Sequence, residues 1–332
     1  MRQLMISLDK KILDPTSAVA RRMVEYGKKN ELFIIIPHSE KQELDLSANV
    51  RVFTSWGTSK WRQFWELYGV GERILKKEKI ESITAQDPFF TGLTAVWLKI
   101  QFKLPVEIQV HGDFYGNNYY RQSGLMNRVR WHLGKYTIKR ADKIRTVGER
   151  VSENILKNFH ITPSKVYIRP VPVDSRQIQA YEPKVNLHER YPGFEKIFLC
   201  LGRLDKVKNI PWLIKIFAQV VKHKPKYLLV IVGSGPEKQN LESLILNLKL
   251  DYNLKLEDWS NDPWSYIKTA DCILFPSLSE GYGLVPMEAS AAGTPIIMNK
   301  VGVANYELKP SDKVIILPIN NEKKWIEAIL SI

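Results

Sequence analysis

The sequence predicts an α/β fold in two domains, each with a doubly wound parallel sheet. Short, continuous apolar runs, which are typical of strands buried on both faces, alternate with longer stretches in which apolar residues recur at helical spacing. The alternation is present in both halves of the chain, and a proline-rich segment without clear periodicity lies between them. A length of 332 residues is sufficient for two domains of ordinary size.

In the first half, six apolar runs predict strands: LMISL, LFIIIP, RVFTS, SITAQ, VEIQVHG and KIRTVG. Helical spacing is clearest in SAVARRMVEYGKK and FTGLTAVWLKIQF. In the second half, the predicted strands are KIFLCLGR, YLLVIVGSG, LKLED, DCILFP and PIIMN. The helices between them are predicted at IPWLIKIFAQVVKH, EKQNLESLILNLK and DPWSYIKTA, and a last helix is expected at residues 322–331.

The segment between the halves contains Pro170, Pro172, Pro183 and Pro192. We therefore expect an N-terminal domain at residues 1–172 and a C-terminal domain at residues 173–332. Two domains of this kind, joined by a linker, are expected to face a central cleft. Ligands of such sheets bind beyond the carboxyl ends of the strands.

The composition favours a basic globular protein. The chain has 49 Lys and Arg against 35 Asp and Glu, a net charge of +14, which favours nucleic acid, phosphorylated small molecules or an acidic membrane surface as partners. A diffusely solvated basic surface is the alternative, since the charges are scattered. Cys200 and Cys272 lie in apolar runs, which predicts buried free thiols and a reducing cytoplasm. No signal peptide or membrane-spanning run is recognised.

The stretch SLSEGYGLVPMEASAAGTP, residues 277–295, holds the most informative pattern. It follows the predicted strand DCILFP, so residues 277–283 form the loop that leaves the carboxyl end of that strand. Pro286 favours a first helical turn and Gly293 favours a helix end, which predicts a helix at Val285–Ala292. Glu280 then lies in the loop and Glu288 in the first turn.

This loop has the features of an anion site. The backbone N–H groups of residues 281–284 would point out of a positively polarised helix N-terminus. Arg203 and Lys208, in the loop LGRLDKVKN after another strand, could clamp a diphosphate at the same sheet edge. In the alternative interpretation, Glu288 only favours the helix dipole, Glu280 caps a turn and the basic residues are surface charges.

Four motifs resemble one enzyme family. The blocks GRLDKVKN, VGSGP, DCILFPSLSEGYG and EASAAGTPII are similar to those of the retaining, nucleotide-sugar-dependent glycosyltransferases of family 4, which have the GT-B fold. The family's Glu-x7-Glu motif is matched by Glu280 and Glu288. TAQDPFFTGLTA, VEIQVHGDFYG and TVGERVSENIL extend the resemblance more loosely into the first half. In SLDKKILDPTSAVA the chain departs from the family, which often has a glycine-rich loop there.

The resemblance implies a role for each matching residue. Arg203 and Lys208 would bind the donor diphosphate, and Glu288 would hold the ribose hydroxyls. Glu280 would contact the donor sugar, and His111 would approach that sugar from the other domain, so that Glu280, His111, Arg203 and Lys208 form the catalytic group. The remaining donor contacts are the backbone of Gly281, Tyr282, Gly283 and Leu284, and the base region at Glu257, Asp258 and Trp259.

The implied activity is the transfer of a sugar from a nucleotide-diphosphate sugar to a hydroxyl group, with retention of anomeric configuration. The C-terminal domain would bind the donor, and the N-terminal domain would bind a glycan or lipid-linked acceptor, in polysaccharide or glycolipid synthesis. The sequence has no Asp-x-Asp motif, and its six histidines show no ligand spacing, so we expect no metal and no cofactor besides the donor co-substrate.

The basic, aromatic-containing segment at residues 127–143 has two interpretations. It could lie on an anionic membrane surface, which would make the enzyme peripheral on the inner face of the membrane, or it could be a core helix with a solvated basic face. Trp56, Trp61 and Trp65 could line the acceptor site or belong to the core.

Three other functions have partial support in the composition and motifs. A nucleic-acid-binding protein would fit the charge, but basic–aromatic platforms and a helix-turn-helix pattern are not recognised, so no nucleic acid is expected. A nicotinamide-dependent oxidoreductase is disfavoured because VGSGPEKQN lacks the third glycine of the dinucleotide fingerprint. A non-catalytic nucleotide-sugar-binding relative remains an alternative.

Overall fold

The computed structural model describes residues 1–116 and 118–332. The chain folds into two compact units. The first comprises Met1–Val147 and Val151–Arg169, and the second comprises Gly148–Arg150 and Pro170–Ile332. Both are built from βα repeats, as the alternating sequence pattern predicts.

The first unit contains one eight-stranded sheet. Its strands are β1 Arg2–Ile6, β2 Glu31–His38, β3 Glu43–Ser47, β4 Val50–Trp56, β5 Ser82–Ala85, β6 Val106–Val110, β7 Lys143–Thr146 and β8 Val166–Ile168. Its helices are α1 Ala18–Gly27, α2 Lys60–Lys77, α3 Phe90–Phe102, α4 Tyr119–Gln122, α5 Leu125–Arg140 and α6 Glu149–Phe159, the last of which starts within the second unit. The strand order is β3-β4-β2-β1-β5-β6-β7-β8.

The second unit contains a six-stranded sheet. Its strands are β9 Lys196–Leu201, β10 Tyr227–Val232, β11 Leu254–Glu257, β12 Cys272–Phe275, β13 Ile296–Asn299 and β14 Val314–Leu317. Its helices are α7 Ser175–Ala180, α8 Leu187–Arg190, α9 Ile210–His223, α10 Lys238–Asn247, α11 Pro263–Thr269, α12 Leu284–Ala292 and α13 Glu322–Leu330. All strand pairs in this sheet are parallel.

The strand order β11-β10-β9-β12-β13-β14 creates a switch point in the second unit. From β9 the chain winds outward through β10 and β11, then returns to the other side of β9 to form β12. The loops that leave β9 and β12 therefore diverge to opposite faces of the sheet and leave a crevice between them. Open α/β sheets bind ligands in such crevices.

Apolar packing holds the strands and helices around this crevice together. Residues of β9 and β10 are buried almost throughout, and α9 covers one face of the sheet with Leu213, Ile214 and Phe217. The predicted terminal helix is confirmed as α13, where the buried ring of Trp325 lies 5.3 Å from that of Trp212.

Three local features differ from the sequence expectations. The linker region is more ordered than its lack of periodicity predicts, because Asp174 caps α7 through the N–H of Gln177, and Ile178 is buried. Strand β3 joins the edge of the first sheet antiparallel to β4, and neither it nor the edge strands β8 and β14 were predicted. Helix α12 begins at Leu284, one residue earlier than expected, so Glu288 is its fifth residue and not part of its first turn.

Within residues 1–116 and 118–332, the structure contains no helix long and apolar enough to cross a membrane. Cys200 and Cys272 are buried free thiols, as predicted.

Candidate active site

An ion pair occupies the switch point of the second unit. Lys208 follows β9 and Glu280 follows β12, and the Lys208 Nζ lies 2.6 Å from the Glu280 Oε1. The two side chains are only 18% and 16% exposed, so water screens them less than it screens a surface pair. The sequence-predicted cation and carboxylate are thus neighbours, at the position in the sheet where a ligand is expected.

Backbone contacts hold the two loops in this arrangement. The N–H of Leu278, after β12, donates to the carbonyl of Val207, after β9, at 2.8 Å. The side-chain amide of Asn299 donates to the carbonyl of Ser277 at 2.8 Å. Lys208 is therefore fixed near Glu280 by the backbone as well as by its own charge.

The glycines of VGSGP allow a third loop to pack against the first. A Cβ atom at Gly233 would lie 1.9 Å from the carbonyl oxygen of Gly202, so only glycine fits there. The N–H of Leu204 donates to the carbonyl of Ser234, and the N–H of Glu237 donates to the carbonyl of Leu204. This contact supports the predicted tight turn and positions the loop that carries Arg203.

The N-terminus of α12 lies in the same loop as Glu280. The helix starts after Gly283, which has φ +105° and no side chain that could cap the first turn. The first N–H groups of a helix carry a partial positive charge and lack intrahelical partners. The loop therefore presents Glu280 and a polarised helix N-terminus on the same side of β12.

Glu288 has a different environment from Glu280. It is half-buried on α12, and its Oε1 accepts a hydrogen bond from the indole Nε1 of Trp264 at 3.2 Å. Burial raises the pKa of Glu288, and the hydrogen bond from Trp264 opposes that rise. One oxygen is held by the indole, which leaves the other oriented as an acceptor for hydroxyl groups.

Arg203 lies in the same loop as Lys208 but is not part of the ion pair. Its Nε donates to Asp205 Oδ2 at 2.5 Å, and the guanidinium is largely exposed. A guanidinium held through Nε still presents its remaining N–H groups, which suits contact with a phosphate.

The residues expected near the base have other partners. Glu257 accepts hydrogen bonds from the hydroxyls of Tyr191 and Tyr266, at 2.6 and 2.7 Å, and pairs with Arg190 at 2.9 Å. Asp258 pairs with Lys238, and Trp259 is exposed. The carboxylate of Glu257 therefore ties β11 to α8 and α11, and the accessible groups nearby are Asp258 and Trp259.

His111 lies in the first unit, directly after β6. Its Nε2 is 3.1 Å from the Oε1 of Gln109, which also accepts from Arg145 Nη1. The amide nitrogen of Gln109 faces the acceptors Thr84 Oγ1 and Glu107 Oε1, so its oxygen must face the imidazole. This fixes the Nε2–H tautomer and leaves Nδ1 as an acceptor.

Desolvation of the imidazole by surrounding protein atoms, with a smaller contribution from the charge of Arg145, lowers the pKa of His111 to about 4, although the side chain remains accessible to solvent. The ring is therefore neutral at physiological pH.

Comparison with known proteins places the chain in a family. The model for glycosyl transferases group 1 matches residues 188–332, and that for glycosyltransferase family 4 matches residues 15–177. The alpha-monoglucosyldiacylglycerol synthase of Acholeplasma laidlawii is 30% identical over 291 residues, which are 81% of this chain and 72% of that protein. The chain belongs to the glycosyltransferases of family 4 and group 1.

Other curated relatives are matched over less of their length. The alpha-monoglucosyldiacylglycerol synthase of Streptococcus pneumoniae is 27% identical over 68% of this chain and 53% of its own. An Escherichia coli UDP-Gal:alpha-D-GlcNAc-diphosphoundecaprenol alpha-1,3-galactosyltransferase is 24% identical over 78% of this chain and 68% of its own. The glycosyltransferase chain thus spans about half to two thirds of these relatives.

Solved structures confirm the GT-B fold of this glycosyltransferase. Sucrose-phosphate synthase from Thermosynechococcus elongatus superposes with a TM-score of 0.78 at 18% identity, covering 100% of this chain and 89% of the other. The Anabaena protein HepE in complex with UDP gives a TM-score of 0.74 at 13% identity, with the same coverage.

Sequence reasoning missed two side chains in this glycosyltransferase. Trp264 forms a hydrogen bond with Glu288, and Gln109 forms one with His111, yet neither was singled out with its partner. The spacing of two residues between Gln109 and His111 was a usable signal, because alternate residues of a strand share a face. Trp264 is 24 residues from Glu288 and gave no local signal.

Proposed function

We propose that this protein transfers a sugar from a nucleotide-diphosphate sugar to a hydroxyl group of a lipid-linked or glycan acceptor, with retention of anomeric configuration and without a metal ion. The observation that carries the proposal is the Lys208–Glu280 pair at the switch point of the second sheet, beside the uncapped N-terminus of α12. Cations, a helix N-terminus and hydroxyl-accepting carboxylates together match the parts of a nucleotide-sugar donor.

In this proposal each donor part meets a suitable group. The diphosphate binds the N–H groups of residues 281–284, with Lys208 and Arg203 opposing its charge. When Lys208 turns to the phosphate, it releases Glu280, whose carboxylate then accepts hydrogen bonds from the sugar hydroxyls. Glu288, held at one oxygen by Trp264, accepts from the ribose with the other. The base is proposed to lie near Asp258 and Trp259.

The chemistry needs charge stabilisation more than acid–base catalysis. The bond between the anomeric carbon and the phosphate oxygen breaks, and negative charge develops on the leaving diphosphate. Arg203, Lys208 and the helix N-terminus stabilise that charge. The acceptor oxygen attacks the anomeric carbon from the same face, and its proton passes to a leaving phosphate oxygen, which gives retention. His111 is proposed to position the sugar as a neutral hydrogen-bonding group.

The acceptor class follows from the relatives. The names of several of these relatives describe diacylglycerol-linked or undecaprenol-linked products and substrates. We therefore propose a lipid-linked acceptor bound by the first unit, and a role in glycolipid or polysaccharide synthesis at the cytoplasmic face of a membrane. Two buried free thiols fit the reducing environment of that location.

The test is a panel of nucleotide sugars assayed for thermal stabilisation, slow hydrolysis and transfer to undecaprenol-linked and diacylglycerol acceptors, with EDTA present. Binding of a nucleotide sugar to the native state raises the melting temperature. We expect one donor class to stabilise the protein and be turned over in EDTA, and Lys208→Ala to raise KM for it about tenfold. If donors bind without hydrolysis or transfer to either acceptor, the non-catalytic relative is the correct assignment; if no nucleotide sugar binds, the proposal is wrong.

A further inference from the structure

The net charge of the molecule is concentrated in one unit. The first unit has 28 basic and 16 acidic residues, a net charge of +12, whereas the second has 21 and 19, a net charge of +2. A binding site for one donor does not explain an excess of this size in the unit that lacks the Lys208–Glu280 pair. The excess instead indicates an anionic partner of the first unit.

Helix α5 is the most one-sided basic element of that unit. No Asp or Glu occurs between Asp113 and Asp142, a stretch that includes all of α5. Gly134, Thr137 and Ile138 form the buried side of α5, which packs against α3. The opposite side is exposed, and it defines the α5 outer face: Leu125, Arg128, Val129, His132, Tyr136, Lys139 and Arg140.

The α5 outer face is not an ordinary solvated face, because its centre is apolar. Leu125 and Val129 are 79% and 58% exposed, and Tyr136 is also exposed. At 100° per residue these three lie within about 40° of one another on the helix. Arg128 and Lys139 flank this ridge on one side and Arg140 flanks it on the other, which is the arrangement of a helix that lies in a lipid–water interface.

Exposed tryptophans extend the surface at the same end of the sheet. Trp61, in the first turn of α2, is 68% exposed, and Trp65 is exposed one turn later. The ring of Phe90, at the start of α3, contacts Phe64 of α2 and lies beneath the guanidinium of Arg130 of α5. The N-terminal halves of these helices therefore adjoin one another. Tryptophan is a residue that favours the headgroup region of a bilayer.

We propose that the α5 outer face and the tryptophans of α2 dock the protein on an anionic lipid bilayer. Aliphatic side chains such as Leu125 and Val129 insert between lipids but do not stack on bases, which favours a bilayer over a nucleic acid. The surface lies on the unit that carries His111, at the edge where β6 ends, so docking would bring that edge to a lipid-borne acceptor. The docking itself requires neither donor nor transfer.

The experiment is co-sedimentation of the full chain with vesicles of phosphatidylglycerol and phosphatidylcholine, 1:1, and with pure phosphatidylcholine vesicles. We expect binding to the anionic vesicles that weakens as salt rises. Arg128→Glu with Lys139→Glu should weaken it at least tenfold, and so should Leu125→Gln with Val129→Gln. All four positions are exposed, so the variants should keep the wild-type melting temperature.

Matched controls lie in the second unit. Lys215→Glu with Lys222→Glu changes the net charge by the same amount on exposed positions of α9, and Leu246 and Leu248 offer exposed apolar positions for change to Gln. These controls should bind vesicles within twofold of wild type.

Three results would overturn the proposal. They are no binding to anionic vesicles, binding by the α5 variants equal to that of wild type, or binding of an oligonucleotide of about 20 nucleotides that displaces the vesicles and depends on the same residues. The donor panel separates this inference from the proposed function. The α5 variants should still be stabilised by the donor, and Glu280→Ala should still bind vesicles.

Discussion

The carboxyl edges of the two sheets share a topology but use their side chains differently. In the second unit, oppositely charged groups meet in a crevice, as in the Lys208–Glu280 pair, and the surrounding charges nearly balance. In the first unit, a chain of neutral and charged hydrogen bonds fixes the imidazole of His111, and the unit as a whole carries an excess of basic residues. The fold supplies the edge in both units, and we propose that the loops and neighbouring helices suit one edge to a small anion and the other to an extended anionic surface.

Removal of Glu280 is the strongest test of the first half of this comparison. Glu280→Ala should lower kcat for transfer about 100-fold or more, because the carboxylate is proposed to contact the sugar on which charge develops. It should leave the melting temperature within a few degrees of wild type. Steady-state kinetics with the donor identified by the panel measures this. Asp312→Ala, which removes an exposed carboxylate of the second unit, is the matched control, and equal losses in the two variants would contradict the assigned role of Glu280.

Gly233→Ala should disrupt the backbone packing between two loops at the same edge of the second sheet. The added Cβ would lie 1.9 Å from the carbonyl oxygen of Gly202, and neither backbone segment can move without losing the hydrogen bonds between the loops. We expect a loss of about 2–4 kcal/mol in the free energy of unfolding. Denaturant unfolding measures it, and Gly193→Ala is informative as a control because open space surrounds that position despite its positive φ. A loss no larger than that of the control would show that the loops adapt.

The parts of this edge that depend on local sequence were predictable. The pattern of DCILFP, Pro286 and Gly293 predicted a strand, a loop and a helix, and the helix does end just before Gly293, which has φ +77°. Contacts between distant segments were not predictable in detail. The sequence could place Lys208 and Glu280 on one edge but could not show that they pair, because they are 72 positions apart and follow two different strands whose order in the sheet the sequence does not give.

The charge asymmetry between the units shows a different limit of prediction from the sequence. Charges that look scattered along the chain become concentrated only once the unit boundaries and the exposed side of α5 are known. The sequence therefore left the interpretation of residues 127–143 open between a membrane surface and a solvated helix. The exposed apolar ridge of α5 is the reason that we prefer the membrane surface. The periodicity of the sequence could not show that this ridge is exposed.

Trp264→Phe sharpens the contrast between the two glutamates. The change removes the hydrogen bond to Glu288 but keeps the aromatic packing against Tyr181. We expect nucleotide affinity to fall about 5- to 10-fold. Because that bond opposes the rise in the pKa of Glu288, its loss should raise the pKa further, so the carboxylate should protonate, and affinity should fall, at a higher pH than in wild type. Calorimetric titration with the nucleotide between pH 5 and 8 measures both effects, with Trp61→Phe, at an exposed tryptophan of the first unit, as control.

The smallest effect is expected at His111. A pKa of about 4 means that the imidazole stays neutral as the pH falls from 8 to 5, so its NMR resonances should not shift in that range. In the unfolded chain the imidazole has its ordinary pKa near 6.5, so as the pH falls the unfolded chain binds the proton at a higher pH than the folded protein does. The contribution of His111 to stability is therefore complete above about pH 6.5 and declines as the pH falls toward 4. His111→Gln should remove that decline, whereas His223→Gln, on the exposed end of α9, should not. A resonance that titrates near pH 6.5 would show that the imidazole is hydrated and that Gln109 does not hold it in one tautomer.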